Sequence, residues 1–282
     1  MWQKNYDSGP ILYLIPTPIG NMEDMTYRAV RILDEVEVIF SEDTRVTQNL
    51  LHYFNISKKL ISLHDHNEDL VKEKVLEYLS DGRSVGLVTD RGTPIISDPG
   101  YKTVKYVSSL GYRIVGLPGA NAFVPALIMS GIAPQPFTFY GFLDSKDSKK
   151  KKELESLKFV SHTLIFYEAP HRILKTMQLM LDVFGNREVS LAREISKKFE
   201  SVYRGNISDL LPTLEDIKGE FVIIVSGNKE ILNNCQDLDI ISQVDFYISN
   251  GMSKMDAIKL VAKENNLKKN DVYSEYHRGD CK

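Results

Sequence analysis

A chain of 282 residues with 43% hydrophobic content is long enough for more than one globular core, and 35 Lys and Arg against 38 Asp and Glu leave a net charge of −3. That balance excludes a general polycation, so any contact with nucleic acid has to be local. The two cysteines, Cys235 and Cys281, lie in the last fifth without metal-ligand spacing, and no apolar run reaches signal-peptide or membrane-spanning length, so a cytoplasmic protein without a disulfide framework, a zinc site or a membrane contact is expected.

In chain order, Ile11 to Ile15 reads as a strand, followed by the proline-rich loop Pro16 to Asn21. Neither GxxxxGK[ST] nor GxGxxG occurs there, which removes the main support for a P-loop or Rossmann site. Met22, Met25, Ala29, Leu33 and Val36 recur at helical spacing. A second strand, Val36 to Phe40, runs into Ser41-Glu42-Asp43-Thr44-Arg45, and Val46, Leu50 and Phe54 mark one face of the next helix. Leu60 to Leu63 is a third strand ending in His64-Asp65-His66-Asn67-Glu68, and Val71, Val75, Tyr78 and Leu79 mark the helix after it.

The centre of the chain is VGLVTDRGTPIISDPG, Val85 to Gly100. A buried strand ends in Asp90, a glycine turn follows, and Asp98 with Pro99 has the form of an N-cap and first helical residue. Tyr101, Val104, Val107 and Leu110 give a helix closed by Gly111, and Arg113 to Leu117 a fifth strand ending at Pro118-Gly119-Ala120-Asn121-Ala122. Five strands alternating with helices predict a parallel sheet whose loops converge on one edge, where ligands bind.

Phe137 to Phe142 is strand-like, and composition then shifts to DSKDSKKKKELE, the expected boundary. Beyond it come a strand Thr163 to Glu168, a helix with Ile173, Met177, Met180 and Phe184, and strands Glu188 to Arg193, Phe199 to Tyr203 and Glu220 to Ser226. This half reads as mixed, largely antiparallel α/β. From Gln236 a helical appendage follows, with Ser253 capping a helix that carries Ala257, Ile258 and Val261, and Asn270 capping one with Val272, Tyr273 and Tyr276. The expected units are an N-terminal α/β domain over 1–142, a C-terminal α/β domain over 143–232 and the appendage over 233–282.

Individual residues admit more than one reading. Asp90 at a strand end either bonds the turn amides or faces a ligand. Asp43 has the form of a helix cap, and His64 and His66 the form of loop-orienting side chains or, with Glu68, of a metal site by residue type. Arg45 is positioned to pair with Glu42 or to meet a phosphate. Lys146 and the run Lys149, Lys150, Lys151 and Lys152 form either a solvated linker or a phosphate-binding stretch, and Phe166 and Tyr167 should face opposite sides of their strand.

LYLIPTPIGN, SEDTR, LHDHNE, VTDRGTPIISDPG, LPGANA, FYEAPHR, LAREISKKFE and GEFVIIVSG occur in one order and spacing. Together they resemble the tetrapyrrole methylase superfamily, and within it the ribosomal-RNA branch of small-subunit rRNA (cytidine-2'-O)-methyltransferases, over about residues 11 to 228. The tail SKMDAIKLVAKENNLKKNDVY is similar to that branch's C-terminal helices. The resemblance implies a class III methyltransferase architecture, S-adenosylmethionine as cofactor, no metal, a homodimer, and as partner 16S rRNA or the small ribosomal subunit. Carried onto this chain, the cofactor loops it implies are Pro16 and Thr17; Asp90, Gly92 and Thr93; Asn121 and Ala122; Tyr167 and Glu168; Ala192; and Gly219, Glu220 and Phe221.

A ribose hydroxyl is a poor nucleophile while protonated, so a base among Asp43, His64, His66 or Glu68 is expected from the sheet-edge loops. Arg45, Arg91, Lys146 and Lys149 to Lys152 are the expected RNA contacts. Arg91 departs from the family's usual alanine, Asn121 from its serine, cysteine or proline, and Asp144-Ser145-Lys146 from its Pro-Arg-Lys. Two other functions are compatible with parts of the chain: a small-molecule methylase of the same superfamily, and a non-catalytic RNA-binding assembly factor.

Overall fold

A computed structural model describes residues 2–5, 8–215, 217–228, 238–249 and 252–279. The reading of Cys235 and Cys281 falls outside these residues.

The N-terminal half is a five-stranded, wholly parallel sheet: β1 (Ile11–Leu14), β2 (Val38–Ser41), β3 (Lys59–Ser62), β4 (Val85–Val88) and β5 (Arg113–Gly116), in spatial order β3-β2-β4-β1-β5. The central strands β2 and β4 are buried at every residue, as a sheet covered on both faces requires. Helices α1 (Tyr27–Glu35), α2 (Thr44–Tyr53), α3 (Glu68–Ser80) and α4 (Tyr101–Ser109) make the crossovers. One apolar core gathers Ile15, Leu33, Ile39 and Leu51 and the other Leu12, Phe40, Val75 and Val107. The chain order places β1 and β4 side by side at the middle of the sheet, so their carboxyl-end loops open the crevice that such sheets use.

Several helix faces differ from the sequence pattern. Met22 to Asp24 form a separate 3-10 turn, and α1 starts behind Thr26, whose Oγ1 accepts from the Ala29 amide at 3.1 Å. On α2 the buried set is Thr47, Leu50 and Leu51, while Val46 is exposed. On α4 it is Thr103 and Val107, with Tyr101 and Leu110 outside. The N-cap of α4 is Gly100 at φ +122°, not Asp98. The helix therefore begins after the SDPG turn and leaves Asp98 in the loop.

The second sheet comprises β6 (Phe137–Phe142), β7 (Thr163–Glu168), β8 (Glu188–Arg193), β9 (Ser201–Asn206) and β10 (Phe221–Val225), in order β6-β7-β10-β8-β9. Only the β6/β7 pair is parallel. Helix α5 (Phe123–Ser130) lays Ala126 and Leu127 against one face of this sheet, with Ile165, Ala192 and Ile224. By sheet membership β6 and α5 therefore belong with the second half, although the expected boundary lay after Phe142. The β1–α4 repeat ends with β5, and α5 then crosses to the second sheet.

The lysine run is no linker. It forms α6 (Asp147–Leu157), anchored by Leu154 in the core on the sheet's other face. Helix α7 (Ile173–Phe184) buries Ile173, Met177, Met180 and Phe184 in that same core. The short α8 (Ile207–Leu210) closes the second half. In the tail, α9 (Ile240–Ser249), α10 (Lys254–Glu264) and α11 (Lys269–Gly279) share a core of Val244, Ile258, Val261, Val272 and Tyr276. Ser253 caps α10 as expected, whereas Asn270 lies inside α11 and Tyr273 is exposed.

Candidate active site

The loops after β1, β4 and β5 are tied to one another by backbone. Thr17 and Gly92 exchange amide–carbonyl hydrogen bonds of 2.9 and 3.0 Å, the Thr17 hydroxyl donates to the Thr89 carbonyl at 3.1 Å, and the Thr93 hydroxyl donates to the Ala120 carbonyl at 3.0 Å. Gly119 lies so close to Pro16 that a Cβ there would stand 2.6 Å from the proline ring. Asp90 joins the β2 loop to this set by accepting from the Asp43 amide at 3.0 Å. Asn121 holds the start of α5, its Oδ1 accepting from the Val124 amide at 3.0 Å.

These loops face the carboxyl ends of β6 and β7 and the start of β10 across a cleft of about 410 Å³. Arg91, Gly92, Thr93, Asn121, Ala122, Tyr167, Glu168, Glu220 and Phe221 of the expected set line it. Thr17 and Pro16 lie behind this lining, Thr17 bonded to Gly92 and Pro16 packed on Gly119. Asp90 lies outside the lining and bonds the β2 loop, and Ala192 is buried in the sheet below. Gly219 turns at φ +107° beside Glu194. The sheets thus bring together loops from positions 16 to 221, although each half alone is an ordinary layered core.

Side-chain roles within the expected set differ. Tyr167 points to the cleft and Phe166 to the core, as alternation requires. Burial pushes the Tyr167 hydroxyl up to about 12, although the backbone amides of Phe123 and Ala122 donate to it. Glu168 offers the cleft only its backbone. Its carboxylate is wholly buried: Oε1 lies 3.0 Å from Arg172 Nε and accepts from the Ala169 amide at 2.9 Å, while Oε2 accepts from Thr176 at 2.6 Å and lies 3.6 Å from Lys150 Nζ. Lys150 is correspondingly 1% exposed, and desolvation lowers its pKa. This corrects its reading as a phosphate contact. Lys146, Lys151 and Lys152 are exposed, and Lys149 is exposed beside Asp144 at 3.4 Å.

Among the expected bases, Asp43 and Glu68 are engaged structurally. Asp43 is the N-cap of α2, and Arg45 clamps its carboxylate at 2.6 Å, so the hydrogen bond from Arg45 holds Asp43 down to about 2. Arg45 therefore pairs with Asp43 rather than Glu42. Glu68 is buried in the seam between α3 and α4, where it accepts from the Thr103 amide at 2.8 Å. This binds the carboxylate to the positive end of α4 and removes it from any metal set with the histidines. His64 and His66 meet edge to face at 6.0 Å outside the cleft lining, with His66 exposed.

The residue that the sequence reading missed is Asp98. It lines the cleft at the mouth of the β4 loop. Burial, then the nearby carboxylates of Glu42, Asp90 and Asp65, raise it to about 6 against a hydrogen bond from Thr89. The signal for it was present in SDPG but was absorbed by the capping pattern. The loop that carries Asp98 is strained: Ile95 and Ser97 sit at φ +77° and +68°, a conformation costing about 1–3 kcal/mol at a non-glycine residue. Across the mouth, Arg91 reaches Glu220 at 3.1 Å and Lys197 bridges Glu220 at 2.7 Å and Glu194 at 2.9 Å. Arg91 thus points over the cleft rather than away from it.

The family model for tetrapyrrole (corrin/porphyrin) methylases matches residues 11–211. The ribosomal RNA small subunit methyltransferase I of Bacillus subtilis is 46% identical over 95% of this chain and 94% of its own length, and that of Vibrio cholerae 42% identical over 95% and 94%. Among solved structures, a uroporphyrin-III C-methyltransferase of Thermus thermophilus superposes with a TM-score of 0.56 at 19% identity, covering 77% of this chain and 94% of that one. A second structure of that enzyme, complexed with S-adenosyl homocysteine, gives 0.56 at 16% identity over 77% and 97%. Among the described residues no helix is long and apolar enough to cross a membrane.

Proposed function

This chain belongs to the tetrapyrrole (corrin/porphyrin) methylase family, and from that premise we propose that it uses S-adenosylmethionine to methylate small-subunit ribosomal RNA at the ribose 2'-hydroxyl of a cytidine in 16S rRNA. The observation that carries the rRNA assignment is the 42–46% identity over nearly full length to the rRNA small subunit methyltransferases, through the helical tail. The small-molecule methylase of the same fold is far more distant and covers only 77% of the chain.

The cleft residues fit this cofactor. Gly92 lines the cleft at φ +84°, where a Cβ would stand 3.2 Å from Ile19, so bare main chain faces the ligand space there. When bound, the cofactor supplies a methyl group already activated on a sulfonium. What remains for the protein is to align donor and acceptor at near-attack distance and to exclude water. Gly92, Thr93, Asn121, Ala122, Tyr167 and Phe221 would hold the cofactor, with Pro16, Thr17, Asp90 and Ala192 as their support.

The acceptor hydroxyl needs somewhere to put its proton. Asp98 is the carboxylate at the cleft whose affinity for a proton is raised toward neutrality, so it takes this role in place of Asp43 and Glu68. The exposed lysines of α6 and Arg45 supply phosphate contacts. The reading carries a homodimer working in the cytoplasm, and sedimentation would reveal the dimer.

The test is transfer of labelled methyl to purified small subunits from a strain lacking this protein, followed by nuclease mapping. Label on one ribose 2'-oxygen is the expected result. Cofactor binding with unlabelled subunits would move the reading to a small-molecule acceptor, and absence of cofactor binding to a non-catalytic role.

A further inference from the structure

We propose that Phe142 and Ile96 form a jaw at the cleft mouth that takes the flat face of the acceptor nucleobase, Phe142 by stacking and Ile96 by apolar contact from the opposite side. This rests on the rRNA reading above and specifies how its site selects an acceptor.

Both side chains line the cleft and both are unusually open for large apolar residues, Phe142 at 51% and Ile96 at 43% exposure. Each is displayed by irregular backbone. Ile96 is flanked by the two left-handed residues Ile95 and Ser97, which turn it out of the loop. Phe142 follows a register shift between Phe139 and Gly141, with Gly141 at φ +83°. Bulges of this kind re-aim the next side chain beside functional sites. The two irregular segments also touch, since a Cβ on Gly141 would lie 3.3 Å from Ser97 Oγ.

Phe142 is the outer member of an aromatic series. Phe123 stacks on Phe139 at 4.7 Å, Phe139 meets the edge of Tyr167 at 5.0 Å, and Tyr167 meets Phe142 at 5.5 Å. The inner rings fix Phe142 in place at little further entropic cost on binding. The stretch of chain beyond Phe142 suits a nucleotide rather than an apolar peptide: Lys146, Lys149, Lys151 and Lys152 stand exposed at the start of α6, where phosphates flanking a stacked base would lie. Bringing one ribose of a structured RNA into a cleft splays its nucleotide from its neighbours, and an aromatic face for the unstacked base offsets part of the lost stacking.

The experiment is steady-state methyl transfer to small subunits from the deletion strain, with S-adenosylmethionine binding measured separately by calorimetry. Phe142→Ala is expected to lower kcat/KM for the subunit about ten- to a hundredfold with cofactor affinity unchanged. Phe142→Trp should restore it, whereas Phe142→Leu, which keeps apolar bulk without a π-face, should not. Because Trp2 is the chain's single tryptophan, Trp2→Phe/Phe142→Trp gives an independent readout, and hexacytidylate should quench its emission. Wild-type rates in Phe142→Ala, rescue by Leu equal to that by Trp, or loss of cofactor affinity in step with rate would overturn the jaw. If the wild type labels no RNA, the rRNA reading falls and the jaw with it; if the wild type is active and Phe142→Ala equally so, only the jaw falls.

Discussion

Asp43 and Asp98 carry the same carboxyl group on neighbouring loops and end at opposite extremes, about 2 and about 6, because one is clamped by Arg45 in water and the other desolvated among carboxylates. Asp98→Asn is therefore expected to cut methyl transfer by about 10²–10⁴-fold. In the wild type the rate of the chemical step should climb with pH through about 6 and level off above it, as the carboxylate forms. The sign for stability is the reverse. A carboxyl whose folded pKa is raised stabilises most below its unfolded value of 3.8 and loses that contribution as pH rises through about 6. Thermal melts should show Asp98→Asn more stable than wild type at pH 8, with that advantage gone at pH 4, where the Asp98 carboxyl is itself neutral in the fold. Asp43→Ala should instead lower Tm through loss of the α2 cap and leave the pH profile of turnover in place. The SEDTR capping pattern was legible from spacing alone. The same logic misassigned Asp98, since Gly100 can adopt the positive φ that starts α4 beyond the SDPG turn.

Helix α6 shows why a charge run is hard to read without its partner elements. Lys150 is consecutive with three exposed lysines, yet the phase of the helix turns it inward to Thr176 at 2.6 Å and toward Glu168. Lys150→Met should destabilise the fold by up to about 3 kcal/mol by unbalancing a buried charge, softened by the remaining Arg172 partner, as denaturant titration would show. It should leave the salt dependence of RNA binding as it was. Replacing Lys146, Lys151 and Lys152 together by Gln should do the opposite, weakening RNA binding and lowering the slope of log K against log salt by about 2–3 with Tm nearly unchanged. An unchanged slope would remove α6 from the RNA surface. The helix was invisible as a helix because its buried face consists of one leucine and one lysine rather than an apolar stripe.

Across the whole molecule, the two sheets are joined at the cleft by polar contacts as well as by the chain. Arg91 of the first half and Lys197 of the second meet at Glu220, and Ser196 bonds Asp24. The Arg91–Glu220 pair is more than half exposed on both sides and is worth at most about 1 kcal/mol. Arg91→Ala should accordingly shift Tm by no more than about 2–4 °C. Packing between loops is costlier to disturb. Gly119→Ala would force its Cβ against the rigid Pro16 ring, and a loss of about 1–3 kcal/mol together with weakened cofactor binding is expected from thermal melts and calorimetry.

The sequence by itself determined the order of most strands and helices from Ile11 to Val225, the parallel and largely antiparallel halves, and the family, because strand alternation, turn glycines and motif spacing are local properties of the chain. It also picked out most of the loops that line the cleft, since in a parallel sheet every strand end lies on one edge. Only the tertiary structure decided which side chains in those loops face the cleft. Glu68 and Glu168 turned inward because amides and cations of other elements satisfy them there. Asp98, Ile96 and Phe142 turned to the cleft on segments where Gly100, Ile95, Ser97 and Gly141 adopt backbone angles that no periodic pattern encodes.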